Sequence, residues 1–328
     1  MIAIVSAPTN LGLRPPEPGG VPGTSKAPEA LRAAGLYDLL AATGATDAGV
    51  VLPGRYVDDD ATRAAGHVRN EVAIIDHTRR LAARVRAILD RGDAPLVLGG
   101  DCSLLLGVGV ALTGTVPRAG LVHLDGHTDF RHPGNSDRCA SVAGEDLAAA
   151  IGLHWPAIAD IDGLGPYFPA PRVAHLGCRE DDEELAEASS VLGLVVPARE
   201  AVRRGMRSAA ADVAAVATAT GAAGAAAADG AAAADSADSA DSAGNRGYWL
   251  QLDVDILDPV WMPAVDSPDP GGLDPDQLVD LLAALAPGAV GASVTVFDPD
   301  LDPDGRHAAL LARVLAEGLQ KLGTEVDH

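Results

Sequence analysis

Positive charge is scarce in this 328-residue chain. Lysine and arginine number 24 against 46 aspartates and glutamates, which gives a formal net charge of −22. Such a surface repels polyanions, so we expect neither nucleic acid nor an anionic membrane as a partner. Part of the acid excess is available instead for binding metal ions.

Long hydrophobic runs and cysteines are scarce as well. The longest apolar runs, such as 119–124, are far too short to cross a bilayer. Residues 1–8 carry no basic segment ahead of an apolar one, so they predict a first strand and not a signal peptide. Cys102, Cys139 and Cys178 are too few, and odd in number, for a disulfide framework. We therefore expect a cytoplasmic protein.

Short apolar runs alternate with longer segments of helical periodicity. The apolar runs predict strands at 2–7, 95–98, 120–124, 173–177, 194–197, 248–254 and 290–297. The periodic segments predict helices that include 27–42, 67–91, 276–285 and 307–319. Alternation of this kind predicts a mainly parallel sheet in a three-layer α/β/α domain.

One segment, 208–244, consists mainly of Ala, Asp and Ser. Its first part, up to about residue 220, can continue a helix, and the rest has too little side-chain bulk for a core. We predict a single domain over 1–328 with a disordered low-complexity surface insertion at about 208–244. An ordered alanine-rich helix is the alternative, although the interspersed Gly and Ser oppose it.

Acidic clusters directly follow three of the predicted strands. They lie at 99–103, 125–129 and 253–259. Ligand sites of open α/β sheets gather at the carboxyl ends of the strands. Side chains two apart on an extended segment point the same way, so Asp125, His127 and Asp129 can converge. The same holds for Asp253 and Asp255.

Four carboxylates and one imidazole at one edge of a sheet would repel one another unless cations neutralised them. A lone Asp-x-Asp is usually a loop or a cap, but two such clusters, each after a buried strand, favour metal binding. The mixed oxygen and nitrogen donors suit Mn²⁺ better than a structural zinc. Two ions about 3.5–4 Å apart could share carboxylates and hold a bridging hydroxide as nucleophile.

These clusters, together with residues 23–32, resemble the ureohydrolases, the family of arginase, agmatinase, guanidinobutyrase and formimidoylglutamase. Residues 99–103 match the family's Gly-Gly-Asp-His-Ser with one change, and 125–129 match Asp-Ala-His-x-Asp with glycine for alanine. Residues 253–259 match Asp-x-Asp-x-x-Asp-Pro completely. The resemblance spans nearly the whole chain. It implies an arginase-like sheet of eight strands, two Mn²⁺ ions, a guanidino or formimino small-molecule substrate and a homo-oligomer.

The resemblance also implies the metal ligands, by motif position. They are Cys102, Asp125, His127, Asp129, Asp253 and Asp255. Asp125 and Asp253 would bridge the two ions, and Asp101 would be a supporting carboxylate behind the ligands.

Cys102 stands where the family has a metal-binding histidine. As a thiolate, cysteine can ligate a divalent metal, which lowers its pKa. Sulfur prefers zinc to manganese, so Zn²⁺ is the alternative to Mn²⁺. Divergent family members that act on hydroxyguanidino compounds also carry cysteine here, which favours ligation. The alternative is that Cys102 is a small buried residue beside a weakly held ion.

Ala143 stands where the family has its proton-shuttling histidine. His132, near the metal loop, and Glu145 are two candidates to take over this role, although a loop histidine is more often simply solvated. Together with Asp129 at the metal edge, His132 and Glu145 are the predicted catalytic residues.

Val296 stands where the family has its guanidinium-binding glutamate. Asp298, two positions on, can reach the substrate or merely cap a turn. Arg131 can bind a substrate carboxylate or form a surface ion pair, and Asp182 roughly matches a residue that binds a substrate amino group. These changes affect substrate and proton-transfer groups while sparing most metal ligands, which favours retained metal chemistry on an altered substrate.

The sequence therefore predicts a metal-dependent hydrolase of linear C–N bonds in an amidine, hydroxyguanidino or formimino compound. A catalytically silent arginase-fold protein that binds a metabolite or a partner is the alternative. A zinc-dependent amide hydrolase ranks last, because the histidine-rich relay of the related deacetylase fold is not visible.

Overall fold

A computed structural model describes residues 1–116, 119–219 and 247–326. Eight strands in this part of the chain pair in parallel into one sheet. The strands are β1 Ile2–Ala7, β2 Thr46–Val50, β3 Ala94–Gly99, β4 Gly120–Leu124, β5 Val173–Leu176, β6 Leu194–Val196, β7 Tyr248–Asp253 and β8 Ala289–Thr295. Their order across the sheet is β2-β1-β3-β8-β7-β4-β5-β6. The predicted parallel α/β class and the strand number are confirmed.

Helices flank the sheet. Within the same ranges they are α1 Ala27–Ala33, α2 Leu36–Ala41, α3 Glu71–Leu89, α4 Leu104–Thr115, α5 Asp146–Ala150, α6 Pro156–Ala159, α7 Leu185–Val191, α8 Ala198–Arg204, α9 Met206–Thr218, α10 Pro275–Leu285 and α11 Arg306–Leu319. Alternate residues of β3 enter different apolar cores: Leu96 joins one core and Val97 the other. Because successive strand residues point to opposite faces, the sheet is buried on both sides.

Two local features differ from the sequence prediction. Strand β2 was not predicted, because its sequence TDAGV has only one large apolar residue and most of it is exposed at the sheet edge. The predicted helix at 27–42 is divided into α1 and α2 at Gly35, whose φ is 88°. Glycine adopts this left-handed conformation without the steric cost that a Cβ would bring.

Helix α9 covers the first part of the segment predicted as an insertion. Ala209, Ala210, Val213 and Ala217 are buried, and a Cβ on Gly120 would lie 2.0 Å from the Ala217 oxygen. The small side chains thus let the helix backbone approach β4 closely. Residues 220–246 lie outside the described residues, so the insertion stays a prediction.

The sheet order brings five strand ends together. The strands β3, β8, β7, β4 and β5 are consecutive neighbours in the sheet, and the predicted acidic clusters follow three of them. Across the described ranges, no helix has both the length and the apolar character needed to span a bilayer.

Candidate metal centre

A pocket of about 790 Å³ opens over these strand ends. Its lining includes most of the predicted ligand and substrate residues, namely His127, Asp129, Arg131, Asp182, Asp253, Asp255 and Asp298. Parallel pairing accounts for this convergence, because the carboxyl ends of parallel strands lie on one side of the sheet.

One group of donors, called here the outer position, consists of Asp125, His127 and Asp255, whose ligand atoms all lie within 4.8 Å of one another. His127 Nδ1 is 2.9 Å from Asp255 Oδ2, and His127 Nε2 donates to Asp269 Oδ2 at 3.1 Å. Burial opposes charge on His127, but the adjacent Asp255 raises its pKa to about 10. A bound cation would replace this imidazolium proton, and Asp269 would fix the ring orientation.

A second group, called here the inner position, consists of Cys102, Asp125 and Asp253 and meets the same distance limit. Cys102 is fully buried, and its Sγ donates to Asp253 Oδ2 at 3.0 Å. Burial, and then the Asp253 charge, raise the pKa of the thiol well above its usual value. Burial, and then Asp255, likewise raise the pKa of Asp253.

Asp125 belongs to both positions. Its Oδ1 accepts from the His127 backbone at 2.7 Å, whereas its buried Oδ2 has no hydrogen-bond partner among the described residues. Burial, and then Asp129, raise the pKa of this carboxyl well above normal. A buried carboxylate with a free oxygen is costly unless a proton or a cation compensates it. The donors therefore fit two divalent ions that share Asp125.

Asp129 reaches the centre through a turn and not along an extended strand. Its φ of 47° lies in the left-handed region, which is uncommon for a residue other than glycine. The carboxylate lies within 4.8 Å of ligand atoms of His123 and Asp125, and it lines the pocket. The predicted convergence of the 125–129 cluster therefore occurs, but by a different backbone path.

Arg179 and Gly126 hold the ligand loops together. Arg179 is buried and donates to the backbone oxygens of Gly177 and Asp255, each at 3.0 Å. A Cβ on Gly126 would lie 2.7 Å from the Asp255 oxygen and 2.8 Å from Arg179 Nη1. The glycine in place of the motif's alanine therefore makes room for the arginine, a structural role that the motif did not reveal.

Asp101 supports the loop that carries Cys102. Its carboxylate accepts from Thr9 Oγ1 at 3.0 Å and from the Ser103 backbone at 2.9 Å. The Thr9 contact holds the loop after β3 against the loop after β1, and the Ser103 contact fixes the turn within the loop after β3.

Two of the predicted catalytic residues lie away from the pocket. His132 Nε2 contacts Glu187 Oε1 at 3.1 Å, and neither residue belongs to the pocket lining. Glu145 is fully buried, accepts from the Ala140 backbone at 2.8 Å and contacts His154 Nε2 at 2.9 Å. Asp129 is thus the predicted catalytic residue that the structure places beside the donor groups.

Candidate substrate residues line the pocket around the donors. Arg131 Nε lies 3.8 Å from Glu184 Oε1. Asp182 is held by the backbone and the hydroxyl of Thr128, at 2.9 and 2.7 Å. Asp298 accepts from the Gly23 backbone at 3.1 Å.

Two residues beside the donors were not found from the sequence. His123 and Asp146 are fully buried next to Asp125 and Asp129. His123 precedes Asp125 by two positions in the same alternating row, which is a signal that could have revealed it. Asp146 begins helix α5 and is followed by apolar residues, so nothing distinguishes it from a helix cap.

Comparison with known proteins agrees with this geometry. The model of the arginase family matches residues 1–320. The chain belongs to the arginase family. An arginase from Bacillus caldovelox is 26% identical over 319 residues, 96% of each chain. An arginase from Brevibacillus brevis is 27% identical over 330 residues, 97% of this chain and 98% of that protein.

Solved structures of arginase-family proteins share the fold. The arginase of Bacillus caldovelox has a TM-score of 0.80 at 25% identity, with 97% of both chains covered. Proclavaminate amidino hydrolase of Streptomyces clavuligerus has a TM-score of 0.65 at 20% identity, with 99% of this chain and 92% of that chain covered. The resemblance to the ureohydrolases is thereby confirmed, and the chain is an arginase-family hydrolase.

Proposed function

We propose that this chain hydrolyses a linear C–N bond in a guanidino-type small molecule, meaning an amidine, hydroxyguanidino or formimino compound, with the help of two divalent metal ions. The observation that carries the proposal is Asp125, which is shared by two groups of largely buried donors and has one oxygen without a partner among the described residues. Carboxylate and imidazole donors favour Mn²⁺, and Cys102 leaves Zn²⁺ as the alternative.

The ligands follow from the two donor groups. Asp125, His127 and Asp255 would hold the outer ion, and Cys102, Asp129 and Asp253 would complete the inner position beside Asp125. When bound, the ions lower the pKa of a coordinated water and stabilise negative charge that develops on the substrate.

A side chain of this protein would transfer the proton from the water to the leaving group. Water adds to the amidine carbon and forms a C–O bond, and the C–N bond breaks as one water proton passes to the leaving amine. The second water proton passes from the oxygen to the remaining nitrogen, which gives the carbonyl product. Asp129 lies in the pocket and is nine-tenths buried. We infer that its carboxylate accepts the proton from the attacking water and delivers it to the leaving nitrogen, because Ala143 offers no such group.

The pocket wall favours a substrate unlike arginine. Val296, in place of the family's glutamate, presents an apolar side chain to the pocket and cannot pair with a guanidinium. Acidic groups of the rim, Asp182 and Asp298 among them, favour a cationic substrate end, whereas Arg131 offers a site for a carboxylate.

A substrate panel tests the proposal. Purified protein loaded with Mn²⁺ is incubated with guanidino, hydroxyguanidino and formimino compounds, and urea, hydroxyurea, formamide and ammonia are measured. We expect Asp253→Asn to abolish turnover. Asp258→Asn, a change in the same motif at a residue that only accepts from turn amides, should retain most of it. No product from any compound would count against the proposal.

A catalytically silent binding protein is the second candidate, favoured by Ala143 and Val296 at the pocket wall. It predicts tight binding of a small molecule without product release. Release of acetate from acetylated amines by zinc-loaded protein would instead favour an amide hydrolase. A cytoplasmic location and a homo-oligomer remain predictions of the sequence and its family.

A further inference from the structure

His123 and Asp146 form a buried pair beside the inner position. Both side chains are completely buried. Within the described residues, His123 Nε2 and both oxygens of Asp146 have no hydrogen-bond partner. Leaving a buried donor or acceptor unpaired is costly, and more so for a charged group. A neutral His123 with a free lone pair on Nε2 and the carboxylate of Asp146 can both bind a cation.

The distances place both side chains around a common point. His123 Nε2 lies 3.8 Å from Asp125 Oδ2 and 3.8 Å from Asp146 Oδ2. Asp146 also groups with Cys102 and Asp129 within 4.8 Å. Two donors bound to one ion at about 2.1 Å lie at most about 4.2 Å apart. The contacts of His123 are therefore too long for hydrogen bonds but suitable for donors around one cation.

The imidazole of His123 is prepared to act as a ligand. Its Nδ1 lies 3.0 Å from Nδ1 of the buried His175. When Nδ1 of His123 donates to His175, Nε2 carries a free lone pair directed at the carboxylates. A hydrogen bond to the other ring nitrogen commonly orients a metal-binding histidine in this way.

We propose that His123 and Asp146 are ligands of the inner metal ion and that His123 supplies the nitrogen donor that Cys102 does not. This inference rests on the two-metal centre of the proposed function. It gives the inner ion six donor residues, namely Cys102, His123, Asp125, Asp129, Asp146 and Asp253. Because this set contains four carboxylates and an imidazole but only one sulfur, its donors suit Mn²⁺.

The alternative is a metal-free pair in which Asp129 and Asp146 share a proton. Variants of two residues that are neighbours in the sequence distinguish a metal ligand from a carboxyl group that shares a proton. Asp146→Asn removes the unpartnered carboxylate. Glu145→Gln is the matched control, because Glu145 is equally buried but satisfied by the Ala140 and Ser141 backbones and by His154.

The test measures bound Mn²⁺ per chain by elemental analysis and by titration, independently of turnover. Wild type and Glu145→Gln should bind two ions. Asp146→Asn and His123→Gln should bind the second ion at least tenfold more weakly, with the first unchanged. An unchanged first ion also shows that the variant folds.

A second readout uses the absorption of bound Co²⁺, which strengthens when an ion with six donors loses ligands. We expect this increase in Asp146→Asn and His123→Gln. Spectra and affinities equal to those of wild type would overturn the inference while leaving the two-metal centre intact. A wild type that binds no metal would overturn both.

Discussion

The thiol of Cys102 donates a hydrogen bond to Asp253 Oδ2 at a distance of 3.0 Å. Because burial and Asp253 together raise the pKa of this thiol, it is protonated in the absence of metal. A metal ion at the inner position would take the place of the thiol proton and contact both groups. Cys102 therefore becomes a ligand only when the gain from metal–sulfur bonding exceeds the cost of deprotonation.

Replacing the sulfur should change metal preference more than metal content. We expect Cys102→Ser to retain two Mn²⁺ ions and to lower the preference for Zn²⁺ over Mn²⁺ by at least about tenfold, since zinc favours sulfur more strongly than manganese does. Competitive loading with both metals, followed by elemental analysis, measures this ratio. If the ratio stays at the wild-type value, Cys102 is not a ligand.

Restoring the motif's alanine should damage the site. The Cβ of Gly126→Ala meets the Asp255 oxygen at 2.7 Å and Arg179 Nη1 at 2.8 Å. Overpacking of this kind costs about 1–3 kcal/mol of unfolding free energy. Thermal and urea unfolding measure the loss. Gly144→Ala is the control, because its Cβ meets nothing within 4 Å. Equal stability of the two variants would contradict the packing argument.

Val296 occupies a strained backbone position at the pocket wall. Its φ is 75°, and a β-branched residue in this region is an outlier. Val296→Gly loses apolar burial but relieves about 1–2 kcal/mol of backbone strain. It should therefore cost about 1–2 kcal/mol less than Val294→Gly, since Val294 is equally buried on strand β8 without a positive φ. Urea unfolding of both variants checks the difference, and a larger loss for Val296→Gly would refute it.

Arg131 should select for substrates that carry a carboxylate. An arginine–carboxylate pair is worth about 1.5–3 kcal/mol, or roughly 10–100-fold in binding. We expect Arg131→Met to raise KM for carboxylate-bearing substrates by that factor and to leave kcat nearly unchanged. Substrates without a carboxylate serve as the internal control, and an equal effect on both classes would assign Arg131 a structural role.

Metal removal should make stability depend on pH in a characteristic direction. Burial raises the pKa values of Asp125, Asp129 and Asp253 in the metal-free protein. A carboxyl group whose folded pKa exceeds its unfolded value stabilises the fold at low pH and loses that contribution as pH rises. Above the unfolded-state pKa of about 4, the metal-free protein should therefore become less stable as pH rises.

The metal-loaded protein should behave differently, because its ligands are already ionised. Urea midpoints with and without chelator measure the difference in stability between the metal-loaded and the metal-free protein. This difference should widen as pH rises. Asp125→Asn removes one of the raised groups and should flatten the metal-free curve. A gap that is constant with pH would contradict the assignment of these carboxylates to the centre.

The position of the candidate centre could be predicted from the sequence because its main donor residues directly follow, or end, buried strands. Asp125 and Asp253 each occupy the end of a central strand, and parallel pairing leaves little freedom in where those ends lie. The alternation of side chains along an extended segment also predicts that His127 lies near Asp125. The left-handed turn at Asp129 has no signal in the sequence pattern.

The sequence could not resolve the choice between adjacent acids. Glu145 and Asp146 are neighbours at the start of a short helix, and only packing decides which carboxylate lies beside Asp129. Glu145 accepts from backbone amides, so Asp146 alone points toward Asp129. Strand β2 was missed for a related reason, since an exposed edge strand has little apolar signal.

The order of the strands also keeps the donor residues away from the two edges of the sheet. In the described part of the chain, the donors lie on β4 and β7, in the segments that follow β3, β4 and β7, and at the start of α5, whereas the outermost strands β2 and β6 supply none. Substitutions or insertions at β2 or β6 would therefore leave the side chains of the proposed metal centre in place.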